Sequence, residues 1–398
     1  MIGAGVFAAF SPAARAAGNG LLVGLAVAAV VAFCNATSSA QLARIYPVSG
    51  GTYVYGREVL GPWWGFAAGW SFVVGKTASC AAMALTFAAY AVPTGWQKPV
   101  AIAIVVALTA VNYFGVTRTA LLARVLVVIV LVALAVGIGV TARGGLPHLN
   151  ELGGIGLVSS GAYGILQSAG LLFFAFAGYA RIATMGEEVR DPARTIPRAI
   201  TIALVLTLIV YAAVALTLLG ALTPSQLAQS DQPLVRAISA AASPQFAPVI
   251  QISAAVASAG ALLGLIAGIS RTTLAMARET DLPKWLAGVH PRFGVPNRAE
   301  LVLAAIVCVV ILVADLRNAI SFSSFGVLLY YFIANVSAFV QPRDQRRYPR
   351  AVQVVGAIGC LALVATLPPV GLVVGIAVVL VGFGYRALRL RASGRRSG

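Results

Sequence analysis

The chain of 398 residues is 60% hydrophobic and 10% charged, with a mean hydropathy of +0.93, against a soluble norm of roughly half apolar and a quarter charged. That balance excludes an ordinary soluble domain and predicts an all-α polytopic membrane helix bundle. The formal net charge of +17 is dispersed among loops instead of concentrated on one folded unit, which argues against nucleic acid as a partner.

Charge-free runs such as Leu21–Cys34, Val125–Val140 and Ile200–Leu219, with their flanks, reach the roughly 20 residues that cross a bilayer as helix. Barrel strands would alternate strictly over about 10 residues, and no such pattern is present. Met1 to about Ala17 is apolar but too short to span, and it lacks the basic start and cleavage site of a signal peptide. Spans are then predicted at Asn19–Ala43, Pro62–Val92, Pro99–Val116, Thr119–Thr141, Ala162–Ile182, Pro197–Leu222, Phe246–Ala277, Ala299–Ala314, Asn318–Val340, Ala351–Leu367 and Pro369–Leu390, which makes eleven full helices and one partial first helix. Pro47, Gly50 and Gly51 end one segment, Pro62 and Pro197 stand at predicted helix starts, and Pro368-Pro369 makes the last hairpin turn. Trp63, Trp64, Trp70, Trp96 and Trp285 lie near predicted ends, as interfacial anchors do.

Arg15, Lys98, Arg143, Arg236 and Arg317 fall on one side of this arrangement and Lys76 inside the membrane; every other Lys and Arg falls on the opposite side. The positive-inside rule makes that crowded side, with the C-terminus, cytoplasmic. The expected location is therefore the cell (inner) membrane, with the lipid bilayer as a partner and the oligomeric state open. Cys34, Cys80, Cys308 and Cys360 sit in apolar runs without metal-ligand spacing and read as small buried hydrophobes. His148 and His290 stand beside prolines in loops, and neither has the neighbours of a metal site. No catalytic triad, phosphate loop or ATP-driven module is visible, so an enzyme is not expected and no cofactor is called for.

Counting the partial piece as helix one, helices one to five occupy residues 1–141 and helices six to ten occupy 162–340, separated by an extracellular loop at 142–161. Residues 341–390 supply two peripheral helices and 391–398 a basic cytoplasmic tail. Because five is odd, the second set starts on the opposite side, and a repeat of this kind has to be inverted. Both first members carry glycine-interrupted apolar sequence, Gly3-Ala4-Gly5 and Phe176-Ala177-Gly178. Matching interruptions in two halves point to a binding site at the bilayer midplane. Glycine costs about 1 kcal/mol of helix propensity relative to alanine and lets backbone groups turn toward a ligand. The alternative is close helix packing, since small residues line membrane interfaces.

Ile2-Gly3-Ala4-Gly5-Val6-Phe7 with Pro12, the run Pro47 to Tyr55, the run Phe173 to Pro197 with Glu187-Glu188 and Asp191-Pro192, and Arg271 to Pro283 together resemble the amino acid, polyamine and organocation transporter family. The resemblance covers nearly the whole chain. It implies a leucine-transporter-type fold with a five-plus-five inverted repeat, two extra C-terminal helices and alternating access. It further implies that a substrate carboxylate meets the amides of Ala4 and Gly5. The substrate ammonium would meet carbonyls at Met1, Ile2, Phe174 and Ala177. Phe174 would act as an aromatic gate, with Tyr179 after Gly178 beside it. Glu187 and Glu188 become candidates for a cytoplasmic gate, although a solvated ion-pair face among Arg181, Arg190, Arg194 and Arg198 is the plainer account and the one favoured.

The chain departs from that pattern in three places. Many relatives carry Asp or Glu after the aromatic, where this chain has Ala180; the expected substrate is thus a neutral amino acid or a small amine-bearing relative. Some proton-coupled relatives place a lysine in helix five, where Val128, Ile129 and Val130 stand here. Lys76 lies instead in mid-helix three, and an intramembrane cation costs about 2.5 to 3.5 kcal/mol on insertion scales unless it faces the bundle interior. It is a candidate for proton coupling or for replacing a bound cation, with sodium as the alternative coupling ion and a carbonyl-paired structural lysine as the plainer account. The half-helix that precedes the Gly3-Ala4-Gly5 motif in relatives is absent, so an upstream start codon is expected. The function expected is secondary transport of an amino acid by symport. Exchange, carriage of cationic amino acids or polyamines, and a non-transporting membrane sensor are the alternatives.

Overall fold

The computed structural model describes residues 2–47, 50–115, 119–179 and 191–394. Met1, Ala180, Glu187 and Glu188 lie outside the described residues, as does the Tyr179 side chain. Among the described residues there is no strand. Helices α1 (Ala4–Ala8) and α2 (Phe10–Ala17) run on through Ala9, whose amide donates to the Gly5 carbonyl at 3.0 Å while its carbonyl accepts from Ala13 at 3.2 Å. A tight turn at Gly18–Gly20 leads into α3 (Leu21–Ile45). There follow α4 (Thr52–Leu60), α5 (Pro62–Ala91), α6 (Gln97–Tyr113), α7 (Thr119–Arg143), α8 (Gly161–Phe176), α9 (Pro192–Ala221), α10 (Pro224–Ala228), α11 (Pro233–Ala240), α12 (Ala247–Arg278), α13 (Asn297–Val313), α14 (Leu316–Val340), α15 (Arg350–Ala365) and α16 (Pro369–Gly394).

A helix stands at each of the eleven predicted spans. Among the described residues, seven helical stretches are long and apolar enough to cross a membrane by length and composition. The helices α6, α8, α13 and α15 are 16 or 17 residues long, at the short edge of what spans. The boundaries have local causes. Pro62 opens α5 where its missing N–H costs nothing. The Asp315 side chain caps α14 by accepting from the Asn318 amide at 2.7 Å. Thr223 and Gln226 form a reciprocal capping box at the start of α10.

Three expectations need correction. Pro197 lies inside α9, which begins at Pro192, whereas the predicted span at Ala162–Ile182 does leave α-helical geometry after Phe176, at its glycine interruption, with a 3-10 turn at Ala177–Tyr179. Trp70 is no interfacial anchor: its indole N–H donates to the Val378 carbonyl at 2.9 Å and ties α5 to α16. Trp63, Trp64, Trp96 and Trp285 are exposed. The four cysteines are free, and Cys308 is only half-buried.

At the centre stand α5 and α14, each with 78% of its most apolar stretch buried, whereas the figure for α16 is 22%. Helix α5 packs between α14 and α12; α3 packs against α8 and α9. Contact between α5 and α14 is made backbone to backbone, since a Cβ on Gly326 would lie 2.7 Å from the Gly75 Cα. No residue larger than glycine fits there without displacing a helix, so this crossing fixes the height and rotation of the neighbouring Lys76.

Candidate substrate site

Helix α1 starts in the interior. Its N-cap, Gly3, is extended (φ −158°, ψ −148°), and every residue of α1 is buried. The first amides of a helix lack intrahelical acceptors and carry the positive end of its dipole. Alongside them α8 runs antiparallel, with Gly5 against Ala175 and Ala16 against Gly164, so that where it ends at Phe176 its last carbonyls face the same way as those amides. The two interrupted segments touch directly, because a Cβ on Gly5 would sit 2.6 Å from the Ala175 Cα.

Where they meet is a cavity of about 260 Å³, lined in part by Ile2, Gly3, Ala4, Gly5, Phe174 and Gly178. Ala175 of α8, Lys76, Ser79 and Met83 of α5, Leu126, Val127 and Val130 of α7, and Val256, Ala257, Gly260, Ala261 and Leu265 of α12 complete the wall. Lys76, Val130 and Gly260 each stand near the middle of their helices, so the cavity lies at half height in the bundle.

Lys76 is the one charged residue on this described lining. It is 5% exposed, and its Nζ donates to the Ala177 carbonyl at 2.9 Å. A cation against the C-terminal end of α8 is held by both the hydrogen bond and the helix dipole. The sequence reading reserved the Ala177 carbonyl for a substrate ammonium; the structure puts the chain's own ammonium on it. Other carbonyls of the break are also engaged: Ala175 accepts from the Tyr211 hydroxyl at 2.9 Å, and Phe7 of α1 accepts from Tyr90 at 3.2 Å. The Ser79 and Ser323 hydroxyls bond each other at 2.5 Å and join α5 to α14 beneath Lys76.

Of the residues singled out from sequence, Ile2, Gly3, Ala4, Gly5, Lys76, Phe174 and Gly178 line one cavity, and Ala177 touches it through Lys76. Sequence reasoning missed Ser79, Met83 and the α12 wall. Ser79 and Met83 lie at i+3 and i+7 from Lys76, on its own helical face, and that spacing was available as a signal. The α12 residues carry none beyond the small size of Ala257, Gly260 and Ala261.

A multi-pass bundle that encloses a small-molecule cavity at half height, between the ends of two interrupted helices, has the form of a membrane permease. The family model described as amino acid permease matches residues 1–396, and the chain belongs to that family. An uncharacterized transporter of Mycobacterium tuberculosis is 58% identical over 391 residues, covering 98% of this chain and 88% of the relative. The branched-chain amino acid permease BcaP of Bacillus subtilis is 25% identical over 96% of this chain and 88% of its own length. Cationic amino acid transporter 7 of Arabidopsis thaliana is 27% identical over 85% of this chain and 62% of its own. The protein is therefore a multi-pass membrane transporter of the amino acid permease family and not an enzyme.

Proposed function

We propose that the protein carries a small neutral amino acid across the cytoplasmic membrane by alternating access, in symport with protons. In this reading residues 1–141 and 162–340 are two inverted five-helix repeats, the last two helices are peripheral, and the C-terminus is cytoplasmic. The observation that carries the proposal is the pairing of an amide-bearing helix start and a carbonyl-bearing helix end across one cavity. Amides at Ala4 and Gly5 suit a carboxylate, and the end of α8 suits a cation.

Lys76 decides between substrate classes. The described lining holds one ammonium and no carboxylate, so a cationic side chain would bring a second positive charge into a low-dielectric space with nothing to balance it. A neutral zwitterion adds no net charge. This favours a substrate of the kind named for the branched-chain permease over that named for the cationic transporter. Its ammonium and that of Lys76 compete for the same end of α8, so loading is linked to the position and protonation of Lys76. That link is the proposed coupling.

The test is uptake by purified protein in proteoliposomes. Leucine, valine or alanine should enter faster under an inward proton gradient and should compete with one another, while arginine should not. Selective competition by arginine or polyamines alone overturns the neutral-substrate reading, and binding without flux replaces the transporter with a sensor.

A further inference from the structure

A second cavity, of about 450 Å³, opens at the end of the bundle where α3 finishes and α9 begins. Its lining includes Arg44 at the end of α3, Arg194 and Arg198 in the first turns of α9, and Arg347 with Tyr348 just before α15. Four arginines from three separate segments thus line one cleft. Among the described residues the Asp191 carboxylate stands 3.9 Å from Arg194. No carboxylate pairs with Arg44, Arg198 or Arg347 among the described residues.

The cleft is built rather than incidental. Gln41 of α3 is buried, and its side-chain oxygen accepts the backbone amides of Arg347 at 2.9 Å and Tyr348 at 3.1 Å. Those two bonds hold the Arg347 segment over the end of α3. Like charges gathered at one cleft repel one another, and a bound anion lowers that cost. Guanidinium groups match phosphate oxygens in particular, through paired N–H donors.

What lies beside the cleft identifies the source of the phosphate. On α9, Arg194 and Arg198 continue at helical spacing into Ile202, Val205 and Ile209, which are 68%, 53% and 62% exposed. On α3, Val30 and Phe33 are exposed and share a helical face with Arg44. Beyond Arg347, α15 exposes Val354, Ile358 and Leu361. Helix α3 packs against both α9 and α15, so the three exposed apolar faces belong to adjacent helices. The surface beside the cleft is apolar, and the cleft itself is basic. A free anion would use only the cleft; an anionic phospholipid would use both parts.

We propose that this cleft binds the phosphate-bearing headgroup of an anionic phospholipid, whose acyl chains lie along the apolar faces of α3, α9 and α15. Basic pockets between spanning helices suit such headgroups on general grounds. The bound lipid would tie the ends of α3 and α9 to the segment before α15, independently of the substrate cavity.

The experiment is native mass spectrometry of the full chain titrated with phosphatidylglycerol or with phosphatidylcholine of the same acyl chains. The expected result is a marked preference for phosphatidylglycerol that inorganic phosphate does not displace. The variant R44Q/R198Q/R347Q should weaken phosphatidylglycerol binding on the order of a hundredfold. The control R278Q/R292Q/R391Q removes the same charge from the same end of the bundle and should weaken it by less than about tenfold. Equal loss in the two variants, or equal wild-type affinity for both lipids, overturns the site. Displacement by inorganic phosphate at an affinity matching the lipid's assigns the cleft to a free anion and overturns the lipid.

Discussion

Lys76 and Gly5 show what single residues contribute here. Lys76 is held at one height by the contact of Gly75 with Gly326 and donates to the Ala177 carbonyl. If it couples protons to transport, Lys76→Met should flatten the pH dependence of uptake while the protein still reaches the membrane; an unchanged pH profile in proteoliposomes removes it from that role. Gly5 needs its missing side chain for a different reason, because α1 and α8 touch there. Gly5→Ala forces a methyl against the Ala175 backbone, and overpacking of that kind costs about 1 to 3 kcal/mol. A lowered melting temperature in detergent together with lost uptake is expected, and a variant as stable and active as the parent shows that the helices do not meet as described. Both residues were legible in sequence, one as an intramembrane charge and the other as a glycine interruption. The partner of Lys76 was not, since a backbone acceptor carries no residue identity.

At the scale of elements, the charged residues do more than orient the chain. Asp281, just beyond α12, accepts from the Tyr53 hydroxyl at 2.9 Å and from Arg57 of α4 at 3.3 Å. It also pairs with Arg386 of α16, whose guanidinium lies 5.0 Å from the Trp63 ring centroid and 4.9 Å from that of Phe66. Burial, and then the Asp281 carboxylate, push the Tyr53 phenol up, which keeps it a donor. Asp281 and Arg386 are both nearly inaccessible, and removing one partner of a buried pair typically costs about 3 to 5 kcal/mol. Asp281→Ala should therefore destabilise the protein strongly, and adding Arg386→Met should recover part of the loss, as read from thermal unfolding of the single and double variants. Additive losses mean that the pair is not coupled. Sequence reasoning took Arg386 only as a determinant of orientation, because its partner lies 105 residues away. The short helices α4, α10 and α11 escaped notice for a related reason: they lie outside the long apolar runs, and a few residues give too little periodicity to read. Pro197 misled because proline usually opens a helix, yet α9 already has Pro192 at its start.

For the whole molecule, the most readable property was the sorting of charge between the two ends. The contacts support that sorting independently of hydropathy. Asp281 gathers Arg57 of α4 and Arg386 of α16 beside the end of α12, and Gln41 holds the Arg347 backbone, so the end of α3 meets the segment before α15. Elsewhere Arg15 donates to the Ala228 carbonyl and Lys98 to that of Leu312, which joins the end of α2 to α10 and the start of α6 to the end of α13. Alternating spans require these two groups of ends to face opposite sides. On the positive-inside rule the arginine-rich group is expected to face the cytoplasm, which gives the last prediction. Ser159 is exposed in the segment before α8, and Arg292 is exposed in the segment before α13. A cysteine introduced by Ser159→Cys should react with a membrane-impermeant maleimide on intact cells, whereas one introduced by Arg292→Cys should react only after permeabilisation. Of the native cysteines, Cys34, Cys80 and Cys360 are buried and offer little background, and the half-buried Cys308 is replaced by Cys308→Ala in both variants. The reverse pattern of labelling inverts the orientation; labelling of both sites on intact cells breaks the alternation of spans between them.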